Sequence, residues 1–315
     1  MMDWSDRFCR RIFRLLAPRA LLYTEMVTAA ALEHGDPTKL LTYDALEQPL
    51  ALQLGGSDPA QLARAARLGE DWGYQEINLN VGCPSDRVQQ GTFGACLMAT
   101  PALVAECVAA MAAVVRIPVT VKCRLGIDDQ PEEQTFFEFI DRVAQAPTQV
   151  FIVHARKAWL KGLSPKQNRD VPPLRYELVA ELKRRRPDLT VVLNGGVNDL
   201  PTVQRAFTFC DGVMIGRQAY HHLGFLSEAH RWLYPQIPLP TPHELVEQLI
   251  PHLERDCAAG FRVQASTRHL LGLFAHQPGT RRYKQTLMRL SQTHPYQPTI
   301  LWEALRVQAG ADSAL

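Results

Sequence analysis

The sequence lacks the features of several protein classes. No apolar run approaches the roughly 20 residues of a membrane-spanning helix, and no secretory signal pattern opens the chain. The seven cysteines are odd in number, irregularly spaced and never arranged as Cys-x-x-Cys, which argues against a disulfide framework or a zinc site. Neither a Walker-type phosphate loop nor a dinucleotide-binding glycine fingerprint is present. We therefore expect a cytoplasmic protein with reduced thiols.

The chain also has little net charge. Its 34 Lys and Arg residues nearly balance its 32 Asp and Glu residues, which leaves a formal charge of +2 over 315 residues. Charge alone therefore gives no sign of a nucleic-acid partner, although a local basic patch is sufficient to bind RNA. With 46% hydrophobic and 21% charged residues, the composition is that of a globular protein with a large core.

What the sequence does have is a repeated alternation of short apolar segments and longer amphipathic segments. The short segments predict strands, and the helices predicted between them imply a parallel sheet covered by helices. The fold class is therefore α/β, with either an open doubly wound sheet or a (β/α)8 TIM barrel. The seven predicted strands are 21–26, 50–54, 76–81, 119–122, 150–154, 190–194 and 212–215.

Polar residues at the carboxyl ends of the predicted strands favour the barrel. In a barrel these ends converge on one mouth, where active sites form, whereas an open sheet collects residues at one crevice. A barrel has eight strands, and we expect the missing one to be the first, immediately before Met1. The polar residues at strand ends are Gln53, Asn78, Asn80, Lys122, His154, Asn194 and Arg217.

The pattern changes after residue 236. Four prolines between residues 235 and 242 predict a stiff linker, and only helix-like segments follow it. We predict a catalytic barrel over residues 1–236 and a small all-helical domain over residues 237–315. No exposed apolar helix requires a second copy, so a monomer is expected. The helix-like segments are 243–258, 263–274, 280–291 and 299–306.

Two glycine-containing loops follow the last two predicted strands. Asn194, Gly195 and Gly196 follow one strand, and Gly216 and Arg217 follow the next. Barrels often bind phosphate with loops at these positions, because glycine lets backbone N–H groups approach the oxygens. The Arg217 guanidinium can add a charge-assisted contact. We predict a site for one phosphate, as in FMN, rather than for ATP or a dinucleotide.

Three side chains at different strand ends can hold a flavin ring. Lys122 ends an apolar strand, where an unpaired ammonium is costly. A cation beside the N1–C2=O edge of a flavin stabilises the anionic reduced form. Gln53 and His154 lie at the ends of two other strands. These three residues therefore predict a flavin site at the mouth of the barrel.

Two cysteines are candidates for chemistry at the same mouth. Cys83 lies in a glycine–proline loop directly after a strand, where it can act as an acid or a nucleophile or have no chemical role. Cys96 leads into a helical segment and is expected to be packed behind the site. Cys107 has the spacing of a helix core residue.

Five longer motifs are specific enough to indicate a family. They are Asn80-Val81-Gly82-Cys83-Pro84-Ser85-Asp86-Arg87-Val88-Gln89, Gly94-Ala95-Cys96-Leu97-Met98, His154-Ala155-Arg156-Lys157-Ala158-Trp159-Leu160, Gly162-Leu163-Ser164-Pro165-Lys166 and Gly279-Thr280-Arg281-Arg282-Tyr283-Lys284. Together they resemble the tRNA-dihydrouridine synthase family, A-type bacterial subfamily, over nearly the whole chain. The resemblance implies an enzyme that uses FMN and NADPH to saturate uridine 20 and its neighbour 20a in the D-loop of tRNA.

The resemblance also assigns roles to single residues. It implies that Cys83 is the proton donor and that Asn80 contacts the target uridine. In the family, a strand ending in Ala-Pro-Met lies before the position of Met1, and its last residues touch the flavin. The implied FMN-binding residues are Met1, Met2, Gln53, Lys122, His154, Asn194, Gly195, Gly196, Gly216 and Arg217. The implied tRNA contacts are Lys166, Arg169, Arg281 and Arg282.

Two other interpretations of these residues remain open. An FMN barrel that acts on a small molecule, such as dihydroorotate or an enone, needs the same flavin site, because fold does not fix function. A non-catalytic RNA-binding barrel is the second alternative. Basic residues in the helical tail favour tRNA. The run Lys183–Arg186 is instead expected to be a solvated helix end, which the helix dipole favours.

Overall fold

Eight strands form a single sheet within the part of the chain that the computed structural model describes, residues 1–310. The last five residues of the predicted helical domain, 311–315, lie outside the described residues. The strands are β1 Leu22–Tyr23, β2 Val27–Thr28, β3 Leu50–Gly55, β4 Glu76–Val81, β5 Val119–Cys123, β6 Val150–His154, β7 Thr190–Asn194 and β8 Gly212–Met214.

The sheet has the strand order of a (β/α)8 barrel. Strands β2 to β8 pair in parallel, and from β3 to β8 each strand neighbours the next one along the chain. Within residues 1–310 no ladder joins β8 to β1, so the sheet is open between these two strands. The predicted α/β class and barrel order are confirmed.

Of the first predicted strand, 21–26, only residues 22–23 form a strand (β1), and the second short strand (β2) begins beyond the predicted range, at Val27. The Thr24 N–H donates to the Ala51 carbonyl at 3.0 Å, as in a ladder. However, the Thr24 hydroxyl accepts the Gln53 N–H at 3.0 Å and donates to the Glu25 carbonyl at 2.7 Å. A side chain thus takes the place of a backbone acceptor, and the ladder is interrupted between β1 and β2.

Helices join the strands and begin at residues that suit a helix start. Asp58 accepts the Gln61 N–H before a proline, and Asp199 accepts the Thr202 N–H in the same way. As predicted, helices lie between the strands from β3 onward, and the longer ones begin at residues 59, 101, 132, 176 and 200. Those in the first part of the chain are α1 Arg7–Leu16, α2 Ala29–His34, α3 Pro37–Leu41, α4 Pro59–Asp71, α5 Asp86–Gln90, α6 Pro101–Ala112, α7 Glu132–Val143, α8 Tyr176–Arg185 and α9 Leu200–Ala206.

Only helices follow β8 within the described residues, as predicted. The segment predicted as a helix over 263–274 is helical for four residues only. After Thr267 the backbone bonds span three residues, for example from Leu270 N–H to the Thr267 carbonyl. The helices that follow β8 are α10 Arg217–His221, α11 Leu223–Leu233, α12 Pro242–Ala258, α13 Gln264–Thr267, α14 Thr280–Thr293 and α15 Ile300–Ala309.

Contacts between Cα atoms group the chain into two compact units. The first unit consists of Met1–Met2, Tyr23–Tyr43 and Pro49–Gly216, and it contains strands β2 to β8. The second consists of Asp3–Leu22, Asp44–Gln48 and the chain from Arg217 onward. The sequence places a boundary after residue 236, whereas α10, α11 and the early helix α1 group with the later helices.

Strand β4 shows how the first unit separates its core from its polar face. A Cβ added to Gly69 of α4 would meet Leu52 and Ile77, so these two side chains face the helix. Successive residues of a strand point to opposite faces. Glu76, Asn78 and Asn80 therefore share the other face of β4, which faces away from the helix.

The second unit buries an arginine-rich helix. Arg10 and Arg14 on α1 are almost inaccessible to solvent. The Arg10 Nε lies 2.5 Å from a Glu47 carboxylate oxygen, and Arg14 donates to the carbonyls of Pro18 and Ala20 at 2.8 and 2.7 Å. Buried cations need such partners, because desolvation is costly. The segment 44–48 therefore belongs with α1 for an electrostatic reason.

Candidate active site

Sequence-predicted site residues from neighbouring strands meet at one edge of the sheet. Asn80 on β4 is the register partner of Lys122 on β5, and His154 on β6 is the partner of Asn194 on β7. Gln53 lies on β3, next to β4. All five residues lie toward the carboxyl ends of parallel strands, the place where barrels build active sites.

Asn80 fixes the backbone that carries the candidate acid Cys83. Its Oδ1 atom accepts the N–H groups of Gly82 and Cys83, each at 3.0 Å. Its Nδ2 atom donates to Gln53 Oε1 at 2.8 Å. The half-buried Cys83 thiol lies 3.5 Å from Ser85 Oγ. The loop after β4 therefore starts from a fixed geometry, and its thiol is accessible.

Gly94 closes this loop behind Cys83. The Ala95 N–H donates to the Cys83 carbonyl at 2.9 Å. Gly94 has a φ of 69°, and a Cβ at this position would lie 2.6 Å from the Cys83 carbonyl oxygen and would strike Val88. Only glycine satisfies both the left-handed backbone and this close approach.

Lys122 is a partly exposed cation at the end of β5. Burial, helped by the nearby charge of Arg124, lowers the pKa of Lys122 from 10.5 to about 8. The Lys122 ammonium forms no hydrogen bond or ion pair with any residue that the structure describes. A partly buried ammonium without a protein acceptor is costly. Lys122 is therefore suited to a ligand that brings its own acceptor.

The glycine turn after β7 has the features predicted for a phosphate cradle. Gly195 and Gly196 have φ values of 95° and 69°, and the Tyr176 hydroxyl donates to the Gly195 carbonyl at 2.7 Å. A Cβ on Gly195 would strike the His154 ring, with Nε2 at 2.8 Å. Within residues 1–310, the N–H groups of Gly195 and Gly196 have no hydrogen-bond acceptor. They are therefore available to a ligand oxygen.

The residues predicted around β8 fall in both units. Met1 lies beside Gly216, since a Cβ on Gly216 would be 3.8 Å from the Met1 sulfur. Met2 is 60% exposed. Arg217 begins α10 and belongs to the second unit. The Asn194 side-chain amide donates to the Met214 carbonyl at 2.8 Å, which links the ends of β7 and β8.

The residues predicted to touch tRNA lie on two segments. Lys166 is exposed and Arg169 is half-buried, both beside the short 3-10 turn Gln167–Arg169 of the first unit. Arg281 and Arg282 are exposed in the first turn of α14, in the second unit. Lys166, Arg281 and Arg282 therefore present their charged groups on surfaces, whereas the Arg169 Nε is buried.

Sequence reasoning missed Arg124, which ties the Cys83 loop to the loop after β6. Arg124 is 3% exposed, and its Nε donates to the Gly82 carbonyl at 2.9 Å. Its Nη1 donates to the carbonyls of Lys157 and Asn168 at 3.1 and 2.9 Å. The signal for Arg124 in the sequence is its spacing of two from Lys122, which places both residues beside the same strand end.

Asn168, also missed, organises the loop after β6. The side chain of Asn168 is inaccessible to solvent, accepts the Trp159 N–H at 2.7 Å and donates to the Trp159 carbonyl at 2.8 Å. It also donates to the Leu163 carbonyl at 3.2 Å. No local pattern in the sequence indicates this role, because the partners are backbone groups several residues away.

The basic run Lys183–Arg186 lies at a helix end, as predicted, and carboxylates also neutralise it. Arg184 lies 2.6 Å from Glu181, and Arg186 lies 2.8 Å from Asp188. Lys183 lies 2.9 Å from Asp211. These charges have protein partners and are a poor basis for a nucleic-acid surface.

Comparison with known families bears on the interpretations left open by the sequence. The family described as "Dihydrouridine synthase (Dus)" matches residues 1–308. The chain belongs to the dihydrouridine synthase family. The Cys83 loop, Lys122 and the glycine turn are thus parts of a dihydrouridine synthase rather than of an unrelated barrel.

Curated dihydrouridine synthases match most of the chain. The "tRNA-dihydrouridine(20/20a) synthase" of Xanthomonas axonopodis pv. citri is 54% identical over 287 residues, which are 91% of this chain and 86% of the relative. The proteins of the same name from Xylella fastidiosa (strain Temecula1) and Salmonella typhi are 50% and 49% identical over 311 residues, 98% of this chain and 93% of each relative.

A structural neighbour is a complex of morphinone reductase with tetrahydroNAD. It covers 78% of this chain and 86% of its own, with a TM-score of 0.49 and 13% sequence identity.

Within residues 1–310, no helix is both long and apolar enough to cross a membrane.

Proposed function

We propose that this chain is a tRNA-dihydrouridine synthase that reduces the C5=C6 bond of uridines 20 and 20a, with FMN as its cofactor and NADPH as the source of electrons. The observation that carries the proposal is the Cys83 loop, fixed by Asn80 beside the unpaired Lys122 in a member of the dihydrouridine synthase family. The names of the curated relatives support positions 20 and 20a.

The residues present fit a flavin mononucleotide. The Lys122 ammonium lacks a protein acceptor within residues 1–310 and would bind the ring's oxygen or nitrogen acceptors. The free N–H groups of Gly195 and Gly196 would bind the phosphate. The Gln53 side-chain oxygen accepts a hydrogen bond from Asn80, and the Gln53 NH2 group can still donate to an acceptor of the flavin ring. The remaining proposed contacts are Met1, Met2, His154, Asn194, Gly216 and Arg217.

The chemistry divides between the cofactor and the protein. The reduced flavin, when bound, would supply a hydride to C6 of the uracil ring. Cys83 gives its thiol proton to C5, which completes the saturation of the double bond. Asn80 contacts the uracil and, at the same time, holds the Gly82 and Cys83 N–H groups. A uridine reaches these groups only when it is turned out of its loop.

We further propose that the two predicted domains divide the work. The barrel over residues 1–236 carries catalysis, and the helices over residues 237–315 bind tRNA. Lys166, Arg169, Arg281 and Arg282 are the proposed tRNA contacts, in which basic side chains meet phosphates. A monomer is sufficient for this arrangement, and the cytoplasm, where tRNA is found, is the expected compartment.

The experiment that tests the proposal uses the purified chain with FMN, NADPH and unmodified transcribed tRNA. Dihydrouridine is located by mass spectrometry of the digested product. A matched tRNA in which uridines 20 and 20a are replaced by cytidine is the control. We expect dihydrouridine at positions 20 and 20a of the first tRNA and none at these positions of the second.

Each alternative predicts a different result. A small-molecule flavin enzyme would bind flavin and oxidise NADPH, yet form no dihydrouridine in any tRNA. A non-catalytic RNA-binding barrel would bind tRNA without flavin. Product at other uridines, with positions 20 and 20a unmodified, would contradict the proposed substrate positions while preserving the reaction.

A further inference from the structure

A continuous series of hydrogen-bonded side chains runs down the inner face of the sheet from Cys83. Its upper part begins at the Cys83 N–H, which donates to Asn80 Oδ1 at 3.0 Å. Asn80 Nδ2 donates to Gln53 Oε1 at 2.8 Å, and Gln53 Nε2 donates to Asn78 Oδ1 at 2.9 Å. Each amide thus accepts from the residue above it and donates to the residue below it.

The lower part of the series ends on a buried carboxylate. Asn78 Nδ2 donates to Thr120 Oγ1 at 2.8 Å, and the Thr120 hydroxyl donates to Glu76 Oε1 at 2.7 Å. Asn78 and Thr120 are inaccessible to solvent, and Glu76 is 8% exposed. The Tyr23 hydroxyl donates to the same Glu76 oxygen at 2.7 Å. Tyr23 therefore shares the terminal acceptor but lies outside the path to Cys83.

The chemistry of the two ends fixes the direction of the whole series. Backbone N–H groups can only donate, so the Asn80 atom that faces Gly82 and Cys83 has to be the carbonyl oxygen. The NH2 group of each amide then faces the next carbonyl, down to the Thr120 hydroxyl. A carboxylate oxygen accepts, so the Thr120 proton points to Glu76. Donors and acceptors therefore match at every step.

We propose that Thr120 and Glu76 are positioning residues that fix the orientation of the Asn78, Gln53 and Asn80 amides, and through Asn80 the backbone of Cys83. Within residues 1–310, the Thr120 and Glu76 side chains hydrogen-bond only to Asn78, Tyr23 and each other, so this series is their hydrogen-bonded path to Cys83. An Asn or Gln amide exchanges donor for acceptor when it turns over, so an unanchored lower end lets the upper amides reorient. This inference rests on the proposed function only for its effect on turnover.

The test compares three variants, with amide hydrogen exchange of Gly82 and Cys83 in the flavin-free protein as the first measurement. Thr120→Val keeps the shape of the side chain but removes the hydroxyl, and we expect exchange at both amides to become about tenfold faster. Thr120→Ser keeps the hydroxyl and should restore exchange to near the wild-type rate. Tyr23→Phe removes a donor to Glu76 outside the path and should leave exchange unchanged.

The second measurement separates positioning from general damage. In Thr120→Val with flavin bound, we expect the rate of tRNA reduction to fall about tenfold, whereas Thr120→Ser should recover it. Should Thr120→Val fail to fold, Thr120→Ala takes its place against the same serine control.

The inference would be overturned if the Gly82 and Cys83 amides of Thr120→Val exchanged at the wild-type rate. It would also be overturned if these amides exchanged as fast in Tyr23→Phe as in Thr120→Val. A wild-type chain that forms no dihydrouridine would instead contradict the proposed function, because the exchange measurement requires no turnover. The two failures are therefore distinguishable.

Discussion

Lys122 shows that a residue suited to a ligand can reduce the stability of the free protein. Its ammonium is partly desolvated, and no acceptor within residues 1–310 pairs with it. A bound flavin would supply that acceptor. The folded protein without ligand therefore carries a cost that ligand binding is expected to offset.

The loss of stability caused by Lys122 depends on pH, and the lowered pKa of Lys122 sets the direction of this dependence. Between the folded pKa of about 8 and the unfolded value of 10.5, the unfolded chain binds more protons, so stability rises with pH. We expect Lys122→Met to raise the free energy of unfolding of the flavin-free protein by about 2–3 kcal/mol at pH 7 and by less than about 1 kcal/mol at pH 10. Urea denaturation at both pH values measures this difference.

The control for Lys122 is an exposed lysine. Lys166→Met should change the free energy of unfolding by less than about 0.5 kcal/mol at either pH, because Lys166 is exposed. A stabilisation by Lys122→Met that is equal at pH 7 and pH 10 would contradict the electrostatic explanation and indicate a packing effect.

Cys83 and Cys96 form a matched pair for testing the proton donor. Cys83→Ala should slow tRNA reduction by about 100-fold or more, with flavin still bound, because a positioned acid contributes that much. Cys96→Ala, in the short helix Gly94–Ala99, should have a small effect on this rate. Mass spectrometry of the tRNA and the flavin absorbance give the two readouts. Loss of flavin from Cys83→Ala would argue against an acid role.

At the scale of elements, the turn after β7 illustrates how a strand end becomes a ligand site. Gly195 and Gly196 adopt left-handed backbone, which aims their N–H groups away from the sheet ladder. Side chains of neighbouring elements pack against this turn. The His154 ring lies against Gly195, and Leu174 and the Tyr176 hydroxyl lie against Gly196.

Substitution in this turn should therefore affect both stability and flavin binding. A Cβ on Gly196 would lie 2.8 Å from the Tyr176 hydroxyl and would strike Leu174. We expect Gly196→Ala to lower the free energy of unfolding by about 2–3 kcal/mol and to weaken flavin binding. Gly162→Ala is the control, because Gly162 has a φ of 83° with nothing within 4 Å, and should cost about 1 kcal/mol without affecting flavin. Chemical denaturation and flavin titration distinguish the two variants.

At the scale of the whole molecule, a net charge of +2 means that any attraction for tRNA is local. The run Lys183–Arg186 is neutralised by acidic neighbours. Arg281 and Arg282 are exposed at the start of α14, and no ion pair within residues 1–310 engages them. Charges without protein partners are the ones that can exchange counterions for phosphates.

Salt dependence therefore tests which basic residues bind tRNA. We expect the double variant Arg281→Ala and Arg282→Ala to weaken tRNA binding and to reduce the slope of log K against log salt by roughly one to two. The matched double variant Arg184→Ala and Arg185→Ala should leave the slope unchanged, because both residues already pair with Glu181. If both double variants reduced the salt slope equally, tRNA binding would depend on the total charge of the protein rather than on Arg281 and Arg282. Filter binding at several salt concentrations measures both.

The sequence by itself determined the class of the fold and most of the candidate site. Alternating apolar segments located the strands, and helices α4 to α9 separate the later ones as predicted, because periodicity is a local property of the chain. Positions at strand ends predicted Gln53, Lys122 and His154 as site candidates, and the structure places all three toward the carboxyl ends of parallel strands. Five longer motifs, from the Cys83 loop to residues 279–284, indicated the family.

Only the tertiary structure decided which distant residues support that site. The bonds from Asn78 to Thr120 and from Thr120 to Glu76 join residues 42 and 44 positions apart, and they exist because β4 and β5 pair in one register. Likewise, α1 groups with segment 44–48 through the Arg10–Glu47 ion pair, 37 residues apart. The periodicity of apolar residues in the sequence indicates which face of a strand or helix a side chain occupies. The partner across the sheet depends on register, which is fixed only when the strands pack together.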